Sequence, residues 1–159
     1  MIESFCDWLS TTSLSIAFQS ANWFVPTVQT VHIIAIAILL ISVYLVSLRL
    51  MGFGSLPLAV TVLRLGPWIW TTLVVLLVSG ALLTITEPAR ELLNWAFRTK
   101  MLLVAVMVVI VALVQSRLKR DPEYFSTSAA RRLTARSLGI LTLLIGASIV
   151  TAGRWIAYV

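Results

Sequence analysis

The sequence predicts an all-α integral membrane protein: a four-helix bundle with an amphipathic, interfacial N-terminal segment. Three observations lead there. Of 159 residues, 60% are hydrophobic and only 11% are charged, whereas a soluble domain carries roughly a quarter charged residues. Four apolar segments reach the ~20 residues needed to cross hydrocarbon. The connections between them are short, so successive helices pack antiparallel.

The spans are expected at about 25–48, 67–85, 95–115 and 137–158, in a single membrane domain of residues 1–159. Arg49 ends the first, and Arg64 and Glu87 bracket the second. The start, "IESFCDWLSTTSLSIAFQSANWF", mixes aromatics with Ser and Thr and reads as one or two short helices in the interface over residues 1–22. "SLPLAVTVLRLGPW" reads as a short interfacial helix stopped by Gly66-Pro67. In "TEPARELLNW", Pro88 suits the first turn of a short helix, where its missing N–H costs nothing. "MIESFCDWLS" has acids but no basic start, so no cleavable signal is expected and the first membrane helix serves for insertion.

Net charge is +6. The basic residues lie between apolar runs rather than in a stripe with interleaved aromatics, so they indicate topology and not nucleic-acid binding. The first and third connections hold Arg49, Arg64, Arg117, Lys119, Arg120, Arg131, Arg132 and Arg136. The other side holds Arg90, Arg98, Lys100 and Arg154, with the acids Glu3, Asp7, Glu87 and Glu91. Eight against four places those connections in the cytoplasm and both termini outside. Trp23, Trp95, Trp155 and Tyr158 then form the outer aromatic belt, and Trp68 and Trp70 the inner one. Cys6 is the single cysteine, so no internal disulfide is possible.

Three ionisable residues sit deeper than topology needs. His32, the only histidine, lies six residues past Pro26, or ~9 Å into the bilayer at the helical rise. Sixteen uncharged residues separate Lys100 from Arg117, and seventeen separate Arg136 from Arg154. Each run is short for a span, so Lys100 and Arg154 fall inside their helices. His32, Lys100 and Arg154 thus come from three helices and reach a similar depth. Each alone has an ordinary reading: a basic side chain snorkels to the headgroups, and a lone His satisfies itself across helices. Together they describe a polar pocket, and ionisable groups inside a membrane mark function by default.

Such a pocket suits b-type haem, with His32 as ligand to the haem iron and Lys100 and Arg154 pairing with propionates. Lys100, Met101 or Met107 could supply a second ligand. A quinone is the alternative, with His32 bonding a carbonyl. Zinc lacks a Cys/His cluster, and no acid–His–nucleophile set points to hydrolysis. In the fourth helix Gly139, Gly146 and Gly153 recur every seven residues. With Thr142 they make a smooth face for close helix approach, read as packing inside the bundle rather than as a dimer face.

The stretches "WLSTTSLSIAFQSANWFVPTVQTVHIIAIAILL", "PWIWTTLVVLLVSGALLTITEPARELLNWAFRTKMLLV" and the terminal "AGRWIAY" resemble a family of uncharacterised bacterial four-helix inner-membrane proteins, over nearly the whole chain. The most specific pieces are the helix-one His, the "FR-K" that opens helix three, and the final "GR-IAY". More remotely, His32 and Lys100 look like the helix-one His and helix-three Lys associated with haem b in HemJ-type protoporphyrinogen oxidases, and like the membrane part of CopD-like proteins. The family resemblance implies a His near the end of helix three, where this chain has Gln115. That departure argues against multi-haem electron transfer across the bilayer.

The function expected is therefore a haem- or quinone-binding redox component with its site on the outer side of the bacterial inner membrane. The competing expectation is a non-catalytic accessory subunit of a larger membrane complex or homo-oligomer, packing through its glycine strip and Trp belt. A permease is disfavoured, because no broken helices or inverted repeats are visible.

Overall fold

The computed structural model describes residues 2–155. Among them every regular element is helical: α1 (Ile2–Ser10), α2 (Ser13–Ser20), α3 (Phe24–Met51), α4 (Leu58–Thr86), α5 (Pro88–Leu92), α6 (Trp95–Arg120) and α7 (Ala129–Trp155). The four long helices α3, α4, α6 and α7 are long and apolar enough to cross a membrane. α3 packs on α4 and α7, and α6 packs on α7 and α4, so the helices run α4–α3–α7–α6 around the bundle. The core holds Val43, Val46, Leu50, Val62, Ile69, Ile110, Val111, Val114, Leu118 and Ile145. Large apolar side chains also cover the outside, among them Ile33, Val74, Leu102 and Leu144. That is the pattern of helices solvated by hydrocarbon, where every backbone group must be bonded within its own helix.

All four long helices exceed the expected spans. The largest difference is in α4. Gly66-Pro67 does not stop a short interfacial helix, because α4 runs unbroken through it. Proline removes one N–H, and so one bond to the carbonyl four residues back. Ending the helix would strand several backbone groups, which is far worse in hydrocarbon. Trp68 lies ten residues into α4, or ~15 Å along its axis at the helical rise. α6 continues past Gln115 to Arg120, where Arg117, Lys119 and Arg120 suit the negative end of the helix dipole. α7 begins eight residues before Ser137, and Ser128 Oγ accepts from the Arg131 N–H at its start. Tyr158, expected in the outer aromatic belt, lies outside the described residues.

The helix ends show how the chain turns. α3 stops at Gly52, whose φ of 97° is the left-handed conformation glycine tolerates. The Gly52 N–H donates to the Arg49 carbonyl and the Phe53 N–H to the Leu48 carbonyl, the paired bonds of a Schellman motif. The Arg49 guanidinium then folds over the turn and donates to the carbonyls of Phe53 and Gly54. Pro88 opens α5, as its sequence position predicts. At α6, the Asn94 side chain accepts from the Ala96 N–H at 2.8 Å.

The two N-terminal helices do more than lie beside the bundle. The Ser15 hydroxyl donates to the Ile85 carbonyl at 2.8 Å, and Gln19 Nε2 donates to the Thr86 carbonyl at 2.8 Å. Those are two of the last carbonyls of α4, which have no partner within their own helix. α2 therefore acts as a C-cap in trans. α1 holds α5 through the buried Cys6, whose thiol points at the Pro88 carbonyl at 3.7 Å. The start of α3, the end of α4, α5, the start of α6 and the end of α7 thus gather at one end of the bundle, tied down by α1 and α2. His32 and Lys100 are at this end.

Candidate functional site

His32 lies eight residues into α3, about 12 Å along it at the helical rise. Ser79 lies seven residues from the end of α4, at a matching depth. The two side chains meet: His32 Nδ1 is 2.7 Å from Ser79 Oγ. Gly80 lets the ring lie close against α4, since a Cβ added there would be 3.5 Å from His32 Cε1.

The hydrogen bonds around Ser79 assign the tautomer. The Ser79 hydroxyl is 2.6 Å from the Val75 carbonyl, which can only accept. A hydroxyl has one proton, so Ser79 donates it to Val75 and accepts from His32 Nδ1–H. In the neutral ring the other nitrogen, Nε2, then carries the lone pair. This changes the chemistry expected for a quinone. A His32 that donates from Nε2 to a quinone carbonyl needs the opposite tautomer; the ring as held here offers an acceptor, which fits a hydroxyl or a metal.

Lys100 stands in the second turn of α6 and is half-buried. Its aliphatic stem rests near Gly153 of α7, where an added Cβ would be 3.8 Å from Lys100 Cδ. Its ammonium lies 4.9 Å from the Phe97 ring centroid, in the range of a cation–π contact. The ammonium is within electrostatic reach of the His32 ring and of Glu91 of α5. Lys100 is thus the cation the fold brings to His32. Above the site, Glu87 accepts from Arg90 at 2.7 Å on the exposed surface. That hydrogen bond raises the Arg90 pKa.

On α7 the residue before Arg154, Gly153, lies against the Lys100 stem. Arg154 is exposed at the same end of the bundle. Met101 lines a cleft outside the bundle with Phe5 and Arg98, and Met107 is buried against Gly146. Among the described residues no three His, Cys, Asp or Glu side chains converge on one point.

The glycine strip is used within the chain. An added Cβ at Gly139 would lie 2.8 Å from the Ser47 carbonyl oxygen of α3. Gly146 faces Met107 and Leu40, and Thr142 is buried between them. At the opposite end of the bundle, Gln115 is buried and its Oε1 accepts from the Trp70 indole N–H at 2.7 Å. An indole N–H can only donate, so the amide orientation is settled. Gln115 Nε2 then points over Gly66, where an added Cβ would be 2.9 Å away, and has no hydrogen-bond partner among the described residues.

Sequence reasoning missed Ser79 as the partner of His32. The signal was available: Ser79 is the one hydroxyl between Thr72 and Thr84 of α4, at the depth of the lone imidazole on α3. Ser15 and Gln19 carried no comparable signal, because a capping role across 67 to 70 residues leaves no local trace.

The chain belongs to a family of unknown function, DUF6644. The match covers residues 5–159 and so includes α3, α4, α6, α7 and the His32–Lys100 end. No curated protein and no solved structure matches the chain. No relationship to HemJ-type oxidases or CopD-like domains is shown.

Proposed function

We propose that this protein is a redox component of the bacterial inner membrane that binds b-type haem or a quinol beside His32, on the outer side, with both termini outside. One observation carries the reading. His32 Nδ1–H is spent on Ser79, and Ser79 is spent on Val75, so the imidazole is held with its Nε2 lone pair available. Ligating histidines characteristically donate their second ring nitrogen to a fixed acceptor in this way. His32, through Nε2, is the residue that would ligate haem iron. Lys100 of α6, and Arg154 of α7 at the same end of the bundle, are the cations that would pair with propionates. A bound haem would supply one-electron transfer. For a quinol, His32 Nε2 would accept the hydroxyl proton in a hydrogen bond and Lys100 would donate to the second oxygen. The outside placement follows from the eight basic residues at the other end of the bundle against four at this one.

The test is an absorption spectrum of detergent-purified protein, oxidised and dithionite-reduced. A Soret band that His32→Ala removes supports haem. Without a chromophore, titration with a short-chain quinol that binds wild type and not His32→Ala supports the quinol form. A flat spectrum and no quinol binding by folded protein would sink the redox reading and leave an accessory subunit of a larger membrane complex.

A further inference from the structure

We propose a second binding site, separate from His32, that takes one anionic phospholipid: an acyl chain in the cleft between α1 and α6, and the phosphate on Arg98. The cleft measures about 580 Å³ and is lined by Ile2, Phe5, Leu92, Phe97, Arg98 and Met101. That volume falls within the ~300–1,000 Å³ of ligand-binding pockets. Its walls are apolar except for one guanidinium, which is the composition an amphiphile with a single negative head requires.

The walls are held in place. Cys6 is buried where α1 packs against α5 and fixes the helix there, and Ile2 and Phe5 of the same helix are half-exposed and line the cleft. Arg98 Nε donates to the Leu92 carbonyl at 3.1 Å, so the guanidinium is anchored at the rim rather than trailing in solvent. The acids of α1, Glu3 and Asp7, do not line the cleft. The height is also right, because Arg98 is in the first turn of α6, where a spanning helix passes from headgroups into hydrocarbon.

A conflict in the sequence points the same way. The positive end of a helix dipole favours acids, yet the first turn of α6 has no acid and carries Arg98. Places where a chain breaks a local rule tend to be functional, and a bound phosphate would offset both the cation and the dipole. The anion proposed is a phosphodiester of a lipid, because a free anion would leave the apolar walls unused.

Native mass spectrometry of the delipidated full chain tests this, with phosphatidylglycerol and phosphatidylcholine of identical chains. The expected result is one retained phosphatidylglycerol, preferred about fivefold over phosphatidylcholine, as one cation at a membrane surface provides. Arg98→Gln should bring the two lipids level, and Arg98→Lys should retain most of the preference. Met101→Trp, which fills the cleft, should reduce retention of both lipids. Equal retention of the two lipids by wild type overturns the proposal without any variant. So does an undiminished preference in Arg98→Gln.

Discussion

Gly139 and Gly146 occupy equivalent places in one seven-residue repeat, yet alanine should act in opposite directions at the two. At Gly139 a methyl carbon would sit 2.8 Å from the Ser47 carbonyl oxygen, 2.9 Å from Met51 Cγ and 3.1 Å from Leu50 Cβ. The first of these is helix backbone and cannot rotate away, so α3 and α7 must part by several tenths of an ångström along their whole contact. Forcing a methyl group into a packed core costs about 1–3 kcal/mol. Against this, replacing glycine with alanine in a helix gains about 1 kcal/mol. The net expectation for Gly139→Ala is a loss of about 0–2 kcal/mol, at the upper end because the closest clash is with backbone. At Gly146 the nearest atoms would be Met107 Cε at 3.7 Å and Leu40 Cδ2 at 3.9 Å, both ordinary contacts on flexible side chains. Gly146→Ala should therefore be neutral or stabilising by up to about 1 kcal/mol. Reversible unfolding in mixed detergent–SDS micelles, followed by far-UV circular dichroism, measures both. Equal stability of the two variants would refute the reasoning. So would a Gly139→Ala protein as stable as wild type, since it would mean the α3–α7 seam is loose.

Two further outcomes follow from the hydrogen bonds at the His32 end. Ser79→Ala removes the acceptor that holds His32 Nδ1–H and frees the ring to take either tautomer; it should weaken haem or quinol binding by about 10–100-fold, read from a titration of the purified protein, while the helix content stays unchanged. Gln19→Ala leaves the Thr86 carbonyl and the Ser15 hydroxyl without their donor; leaving such a group unpaired costs about 1–3 kcal/mol, and the same unfolding assay should show the loss, with Gln19→Glu no better because it too lacks the N–H.

Much of the architecture is legible without coordinates. The four spans follow from hydropathy and length, and Pro88 marks the start of α5 because its missing N–H restricts it to a first turn. His32 and Lys100 stand out because a titratable group is conspicuous in an apolar run, and the fold does bring them into electrostatic reach. Arg154 stood out for the same reason but lies on the exposed side of α7. Depth can be counted along a sequence, whereas the direction of a side chain around a helix cannot be read when the helix is apolar on all sides, as α3 is. The Gly66-Pro67 pair misled because turn-forming residues carry their meaning from water, where a broken helix is rescued by solvent. In hydrocarbon that rescue is absent, and α4 continues.

What the amino-acid sequence by itself determined is therefore the set of membrane-crossing helices and the depth of each polar group, because these depend on one-dimensional sums of transfer energy and helical rise. What only the tertiary structure decided is which groups touch: Ser79 against His32, Gln115 against Trp70, Ser15 and Gln19 on the end of α4, and Gly139 rather than Gly146 at the closest crossing. The physical reason is that these contacts depend on the rotation and crossing of helices about one another. Those are set by close packing along whole seams, and no residue encodes them locally.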